Sequence, residues 1–335
     1  QIMQHLFLEM QLGVRETLSE NIRNAHDLIG ATDALRLIHF PNNLNDLEKA
    51  QKRLRFEELF FIQLQLLQKK LEHRKQFKGH LFVKVGDLFN TFYNDHMPFS
   101  LTKAQKRVIK EIRSDFGSGA QMNRLLQGDV GSGKTIVAFL SALIAFDNQM
   151  QTTIVAPTEI LAQQHFHTLS EVSKPLGITI KLLTGSTKTA ERKMIHSQLQ
   201  SGELQFLVGT HAVLEPSVLF KNLGFAIIDE QHRFGVEQRA KLWKKNHIPP
   251  HILVMTATPI PRTLAMTLYG DLESSVIDEL PPGRKSITTA QRTDRNRLAV
   301  NQFIKAEVAK GRQVYIVYPL IEESAKMDYK DLMDG

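Results

Sequence analysis

The eight residues 128–135 read Gly-Asp-Val-Gly-Ser-Gly-Lys-Thr, and their types and spacing could hold a chain of phosphates. Glycines in such a turn let backbone N–H groups face phosphate oxygens without side-chain clashes. The lysine reaches the β- and γ-phosphates, and the last hydroxyl binds Mg²⁺. A chance glycine-rich turn is the alternative, which the surrounding strand–loop–helix pattern disfavours. The sequence therefore predicts a nucleoside triphosphate in contact with Gly128, Asp129, Val130, Gly131, Ser132, Gly133, Lys134 and Thr135.

A second group with candidate chemistry is the acidic tetrad Asp229-Glu230-Gln231-His232. It follows the apolar run 224–228, so Asp229 falls at the carboxyl end of a predicted buried strand. Open α/β sheets bind their ligands at that edge. We expect Asp229 to hold Mg²⁺ and Glu230 to orient and deprotonate the attacking water. A solvated acidic pair is the alternative, and the upstream phosphate loop favours the catalytic interpretation.

The elements that position these residues are short apolar runs separated by helical patterns, which is typical of a parallel α/β sheet. The predicted strands cover residues 125–127, 153–156, 178–183, 206–209, 225–229 and 252–256. The predicted helices between them cover 135–147, 159–173 and 188–200. Carboxyl ends of parallel strands share one edge, so the phosphate loop and Asp229 should meet there.

Three further loops at this edge contain small and hydroxylated residues: 156–159, 209–212 and 256–262. Such residues contact a phosphodiester backbone or relay the state of a bound nucleotide, although each is also an ordinary helix cap. Thr256 and Thr258 lie in the last loop. Arg262 is a candidate charge sensor near the γ-phosphate, and a surface arginine is the alternative.

Gln105 lies upstream of the phosphate loop, and its amide has a donor and an acceptor that suit the edge of adenine. The alternative is an exposed glutamine in a helix that Thr102 caps. His165 and His167 are spaced by two, which places them on different faces of a helix. No metal site is predicted from that pair.

Composition limits the class of protein. The chain has 335 residues, a net charge of +7 and no cysteine. The positive charge permits a polyanionic partner without requiring one. The absence of cysteine excludes disulfides and thiolate metal sites, and it fits a reducing cytosol. No run approaches the roughly 20 apolar residues of a membrane helix, and no secretory signal opens the chain.

Three sections follow one another along the chain. Residues 1–98 are helical, with one long helix predicted over 45–77. Residues 99–280 contain the strands and the phosphate loop. Residues 281–335 begin with Pro281-Pro282-Gly283, which reads as a hinge, and continue with an α/β pattern of strands at 287–290 and 314–318 around a helix at 295–310. Both ends of the sequence read as interior to longer elements, so we expect an interior part of a longer protein.

The motifs resemble those of the RecG family of ATP-dependent DNA helicases, which belongs to superfamily 2. The resemblance covers nearly the whole chain and is densest over 99–324. The segments that carry it are 124–135, 156–165, 229–239, 255–264, 281–284 and 318–324. The transcription-repair coupling translocase shares the stretch Thr-Ala-Thr-Pro-Ile-Pro-Arg-Thr, but the tetrad at 229–232 and the following Phe-Gly-Val-Glu-Gln-Arg are more similar to RecG.

The resemblance implies a fold class and roles. The fold is α/β: a RecA-like P-loop parallel sheet with flanking helices, preceded by a helical section and followed by an incomplete second RecA-like lobe. ATP and Mg²⁺ are the implied cofactors. Gln105 would read adenine, while His232 and the segment Thr256–Thr258, with Arg262, would couple hydrolysis to movement. The implied partner is branched or forked DNA, the implied state a cytoplasmic monomeric motor outside membranes, and the implied process branch migration in recombination and repair.

Departures from the family pattern suggest limits on activity. The wedge that splits forks is mostly missing before the helical section, and the second lobe stops before the arginine that completes the ATP site. We therefore expect residues 1–335 alone to bind nucleotide weakly and turn it over slowly. A related double-stranded DNA translocase or an RNA helicase is the first alternative. A nucleotide-gated switch is the second, and the chain lacks the Asn-Lys-x-Asp base reader of GTPases.

Overall fold

The computed structural model describes residues 14–229, 241–243, 245–246, 248–258, 272–279 and 287–317. The chain divides into two compact units, 1–282 and 283–335. The predicted hinge at 281–283 lies outside the described residues. No helix among the described residues is long and apolar enough to cross a membrane.

The first unit is built on a seven-stranded, fully parallel sheet in the order β3-β4-β2-β5-β6-β1-β7. Its strands are β1 (Asn123–Gly128), β2 (Gln151–Val155), β3 (Ile180–Leu183), β4 (Phe206–Gly209), β5 (Leu223–Asp229), β6 (His251–Thr256) and β7 (Glu273–Ile277).

Helices precede, separate and follow the strands. In chain order they are α1 (Glu20–His26), α2 (Ala31–His39), α3 (Leu44–Gln76), α4 (Asp87–Thr91), α5 (Lys103–Phe116), α6 (Lys134–Asp147), α7 (Glu159–Ser173), α8 (Thr189–Ser201) and α9 (Arg297–Ala309). The strands and helices predicted between 125 and 256 are all confirmed, with ends that differ by a few residues. The strand β7 was not predicted.

The sheet forms because its central strands are apolar on both faces, as parallel strands covered on both sides must be. Alternate residues of one strand enter different cores: Leu126 and Ile227 pack in the core on one face, whereas Leu125 and Ala226 pack in the core on the other. The first core is shared with α5, α6 and α7, and the second with α8. The α/β class predicted from the sequence is thus confirmed.

The helical section before the sheet is dominated by α3, whose 33 residues span roughly 50 Å. Asn43 caps it by accepting a hydrogen bond from the N–H of Asp46 at 2.9 Å. Arg53, on its buried side, is fully inaccessible and pairs with Glu16 at 2.6 Å and with Glu57. An unpaired arginine at such a site would be costly, so the pair with Glu16 holds the first described segment against α3, while the pair with Glu57 lies within the helix.

Residues 77–92, termed the strap, join α3 to the sheet-containing lobe. Asp147, at the last residue of α6, accepts hydrogen bonds from the N–H groups of Gly86 (2.8 Å), Leu88 (3.1 Å) and Phe89 (3.2 Å). These are N–H groups at the start of α4, which otherwise lack partners within a helix. The strap is therefore fastened to the far end of the helix that follows the phosphate loop.

His251, the first residue of β6, fastens the strap a second time. Its Nδ1 accepts from the N–H of Met122 at 2.9 Å, and its Nε2 donates to the carbonyl of His80 at 2.7 Å. This pair of bonds requires the neutral ring. Burial lowers the pKa of His251 from 6.5 to about 4, although the bond to His80 opposes that shift.

Acid should destabilise the first unit through His251. Below pH 6.5 the His251 ring of the unfolded chain binds a proton, whereas the ring in the folded protein stays neutral until about pH 4. The free energy of unfolding therefore falls as the pH decreases through that window. Between about pH 7 and about pH 5 this residue should account for a loss of about 2 kcal/mol in the free energy of unfolding. Denaturant titrations of the parent and of His251→Gln, which cannot titrate, measure it. Equal losses in both proteins would show that His251 is not responsible.

The second unit contains α9, which confirms the helix predicted over 295–310. The strand predicted over 287–290 is wrong, since those residues are described without a strand, and 314–317 also lack one. Both segments are largely solvent-exposed, and a strand requires a neighbour for its N–H and C=O groups. Tyr318 lies outside the described residues. The assignment of this unit to a second RecA-like lobe stays a prediction.

Candidate functional site

The phosphate loop lies between β1 and α6, as the sequence predicts. Gly128 ends the strand, and Lys134 is the first residue of the helix. Gly131 and Gly133 have φ angles of 77° and 87°, which residues with a side chain rarely adopt. A Cβ on Gly128 would lie 2.4 Å from Ser132 Oγ, so any larger residue there would force Ser132 to move.

The polar groups of this loop suit a triphosphate. Lys134 Nζ donates to the carbonyls of Gly128 (2.6 Å) and Asp129 (3.0 Å), which holds the ammonium over the loop. Ser132 Oγ is buried without a hydrogen-bond partner among the described residues. Thr135 is the second residue of α6, whose N-terminal end favours anions. The glycine loop therefore lies at one place with the Lys134 ammonium and the N-terminal end of α6.

Gln105 is buried behind the loop, whereas an exposed glutamine was one of the two sequence-based alternatives. Its Nε2 donates to the carbonyl of Ser132 at 2.8 Å, and its Oε1 accepts from the N–H of Thr102 at 2.9 Å. Thr102 caps α5 in return, which completes a capping box. Gln105 therefore fixes the loop to the start of α5. Its reading of adenine stays a prediction.

Replacing Gln105 with glutamate separates these two roles. The carboxylate can still accept from Thr102, but it cannot donate to Ser132, so a buried carbonyl loses its partner at a cost of roughly 1–3 kcal/mol. If Gln105 serves mainly to hold the loop, affinity for ATP and GTP analogues should fall together, by about tenfold. Fluorescent-nucleotide titrations measure both. Loss of ATP binding with unchanged GTP binding would instead assign it to adenine.

Asp229 ends β5, two strands away from the phosphate loop and at the same edge. It is in register with Met255 of β6, which is in register with Leu126 of β1. Neighbouring strands are about 4.8 Å apart, so the backbones of Asp229 and Leu126 are roughly 10 Å apart. Ile227, two residues earlier, packs in the core under α6 and α7, so Asp229 also points to the face that these helices cover.

His165, on α7, contacts Asp229: its Nε2 lies 2.6 Å from Oδ2, and both side chains are 12% exposed. His167 is exposed, as expected for a different helix face. No group of three or more candidate metal-binding side chains (His, Cys, Asp, Glu) is found in the described part of the chain. The contact of His165 was missed because its partner is 64 residues away in sequence.

Thr256 and Thr258 lie at the carboxyl end of β6, between β1 and β5. The Oγ1 atoms are 2.9 Å apart, and Thr258 donates its N–H to Thr256 Oγ1 at 3.2 Å. Thr256 is in register with Gln127, next to the first glycine of the loop. This places the predicted coupling segment beside the phosphate site. Glu230, His232 and Arg262 lie outside the described residues, and their roles stay predictions.

The other half of the same edge has a second set of polar loops, after β2, β4 and β3. Thr158 caps α7 by accepting from the N–H of Leu161 at 3.3 Å, which is the helix-cap role left open above. Glu159 accepts from Ser186 N–H (3.2 Å) and Oγ–H (2.9 Å), so the loop after β3 is clamped to α7. That loop was not singled out from the sequence, although its Thr-Gly-Ser composition resembles the others.

Comparisons with known proteins find similar helicases. The model of the DEAD/DEAH box helicase family matches residues 102–267. The chain is 50% identical over 315 residues to "ATP-dependent DNA helicase RecG" of Synechocystis sp., covering 94% of the chain and 38% of that relative. It is 45% identical over 322 residues to the RecG of Thermotoga maritima, covering 96% of the chain and 41% of that relative.

A solved structure gives the same result for the fold. "Structure of RecG bound to three-way DNA junction" superposes with a TM-score of 0.78 at 41% identity, covering 96% of this chain and 43% of that chain. The chain thus spans less than half of the length of each of these relatives.

Proposed function

Because the chain belongs to the RecG family of helicases, we propose that it binds ATP with Mg²⁺ and forms the nucleotide-hydrolysing part of a motor that acts on branched DNA. The observation that carries this proposal is the shared sheet edge. The phosphate loop after β1 and Asp229 at the end of β5 are separated by β6 alone. The loop proposed to bind ATP and the carboxylate proposed to bind Mg²⁺ therefore leave the sheet at the same edge, one strand apart.

The proposed chemistry assigns a task to each residue. Lys134 would exchange the loop carbonyls for the β- and γ-phosphates, and backbone N–H groups of the loop would bind the remaining phosphate oxygens. Thr135 and Asp229 present the hydroxyl and carboxylate oxygens that Mg²⁺ prefers. The metal would neutralise charge on the transferring phosphate. Glu230 would orient the attacking water, as its place in the tetrad predicts.

The DNA partner is supported by the loops on the other half of the edge and by the net charge of +7. Polar caps and N–H groups at helix starts are common phosphate contacts. The three-way junction in the related RecG structure supports branched DNA in particular. Thr256 and Thr258, between the two halves, are suited to couple them.

An RNA helicase of the same superfamily is the second candidate, since phosphate contacts of the kind proposed for these loops are common to DNA and RNA. The test is binding of a labelled three-way DNA junction, a linear DNA duplex and a single-stranded RNA, each with Mg²⁺ and a non-hydrolysable ATP analogue. Preference for the junction is expected. Equal or tighter binding of RNA would overturn the DNA assignment, and absence of nucleotide binding would overturn the motor.

A further inference from the structure

We propose that His165 is a positioning residue that aims the Asp229 carboxylate at the Mg²⁺ of the bound nucleotide. This inference rests on the proposed function, in which Asp229 serves the metal. The observation behind it is the contact of 2.6 Å between His165 Nε2 and Asp229 Oδ2. The two side chains are mostly shielded from water, which strengthens a hydrogen bond between them.

The direction of this bond follows from chemistry. An ionised carboxylate only accepts hydrogen bonds, so His165 must carry its proton on Nε2 and donate it. A bond to one oxygen leaves further lone pairs of the carboxylate for the metal or a metal-bound water. The imidazole therefore fixes the orientation of the carboxyl group and leaves other lone pairs of its oxygens for the metal.

His165 holds Asp229 from a different element of the fold. Asp229 is the last residue of β5, and His165 comes from the middle of α7, which packs on the same sheet face. The start of α7 is fixed by Thr158 and by the clamp of Glu159 on Ser186. The orientation of Asp229 is thus tied to a helix that begins in the loops proposed to contact DNA.

A purely structural bond, which only holds α7 against the sheet, is the competing interpretation. Apolar contacts already do this, since Ala162 and Leu169 of α7 are 0% and 1% exposed in the core. Groups that orient a metal-binding carboxylate typically contribute 10–100-fold to metal affinity. The two interpretations therefore differ in what the loss of the imidazole changes: metal dependence or stability.

The test uses three variants of the 335-residue chain. His165→Leu removes the donor, His165→Gln keeps a donor on a flexible side chain, and His167→Leu is the matched control on the exposed face. The measured quantity is the Mg²⁺ concentration for half-maximal binding of a fluorescent, non-hydrolysable ATP analogue. Thermal unfolding of each variant is recorded in parallel.

We expect His165→Leu to raise the required Mg²⁺ concentration at least about tenfold, with nucleotide binding restored at high Mg²⁺. His165→Gln should recover much of the loss, and His167→Leu should match the parent. Histidine-ring NMR of the parent should show His165 protonated on Nε2, with that signal missing from His165→Gln. Unchanged Mg²⁺ dependence in His165→Leu, or loss of stability alone, would overturn the positioning role. A parent that binds no nucleotide at any Mg²⁺ concentration would overturn the proposed function, and this inference with it.

Discussion

Replacing Lys134 with alanine should lower ATP turnover by roughly 10²–10³-fold, the typical cost of removing one pre-positioned donor that stabilises charge in a transition state. The ammonium lies over the loop, 2.6 Å from the Gly128 carbonyl and 3.0 Å from that of Asp129, so no large rearrangement precedes its contact with phosphate. Binding of the ATP analogue should weaken as well, since the β- and γ-phosphates lose their cation. Steady-state phosphate release and nucleotide titration measure the two effects.

Lys110→Ala is the matched control, because it removes the same charge from an exposed position of α5 in the same lobe. It should leave turnover and nucleotide affinity near parental values. A loss in Lys110→Ala as large as that in Lys134→Ala would mean that general electrostatics, and not the loop, account for binding. Parental turnover in Lys134→Ala would contradict the site itself.

Replacing Glu230 with glutamine should separate binding from hydrolysis. The amide has nearly the shape of the carboxylate but cannot accept the proton of the attacking water, and general-base catalysis typically contributes 10²–10⁴-fold. We expect turnover to fall by about that factor while affinity for the Mg²⁺-bound ATP analogue is retained. Single-turnover hydrolysis alongside equilibrium binding measures the difference.

The control for Glu230→Gln is a variant that neutralises a carboxylate away from the phosphate site. Glu203→Gln changes an exposed residue in the loop that leads into β4, away from the phosphate edge, and should hydrolyse ATP at the parental rate. If Glu230→Gln lost affinity as much as turnover, Glu230 would act on binding of the metal or nucleotide instead of on the water.

The features predicted well from the sequence are those that depend on neighbours along the chain. Central strands such as β5 and β6 contain runs of buried apolar residues because both faces of a parallel sheet are covered. The phosphate loop is a contiguous motif whose glycines are required by its own backbone angles. The meeting of Lys134 and Asp229 at one edge then follows from parallel topology alone, without knowledge of side-chain packing.

The features that were missed depend on pairs far apart in sequence. In β7, Ser275 is buried and Val276 is exposed, the reverse of the usual pattern, and Arg124 Nη1 donates to Ser275 Oγ at 2.8 Å inside the lobe. Gln105 has two open interpretations in the sequence, an adenine-reading amide or an exposed helix residue, and its bond to Ser132 joins positions 27 residues apart. The contact of His165 with Asp229 has no local signal at all.

The attachments of the strap were also missed, and they connect whole elements of the fold. Its attachment to Asp147 and His251 involves backbone N–H and C=O groups, which every residue except proline has, so composition gives no sign of it. Yet these bonds connect α3 to the far end of α6 and to the start of β6. The other end of α6 begins at the phosphate loop, and the other end of β6 carries Thr256. The strap therefore fixes both elements to the helical section.

The most direct test of the central claim is a crystal structure of the chain with Mg²⁺ and a non-hydrolysable ATP analogue. We expect the triphosphate on the N–H groups of residues 129–135, with the metal about 2.1 Å from the Thr135 hydroxyl and Asp229 bound to that metal or to one of its waters. A metal–nucleotide complex seated elsewhere, or one with no Asp229 oxygen in contact with the metal or its waters, would contradict it.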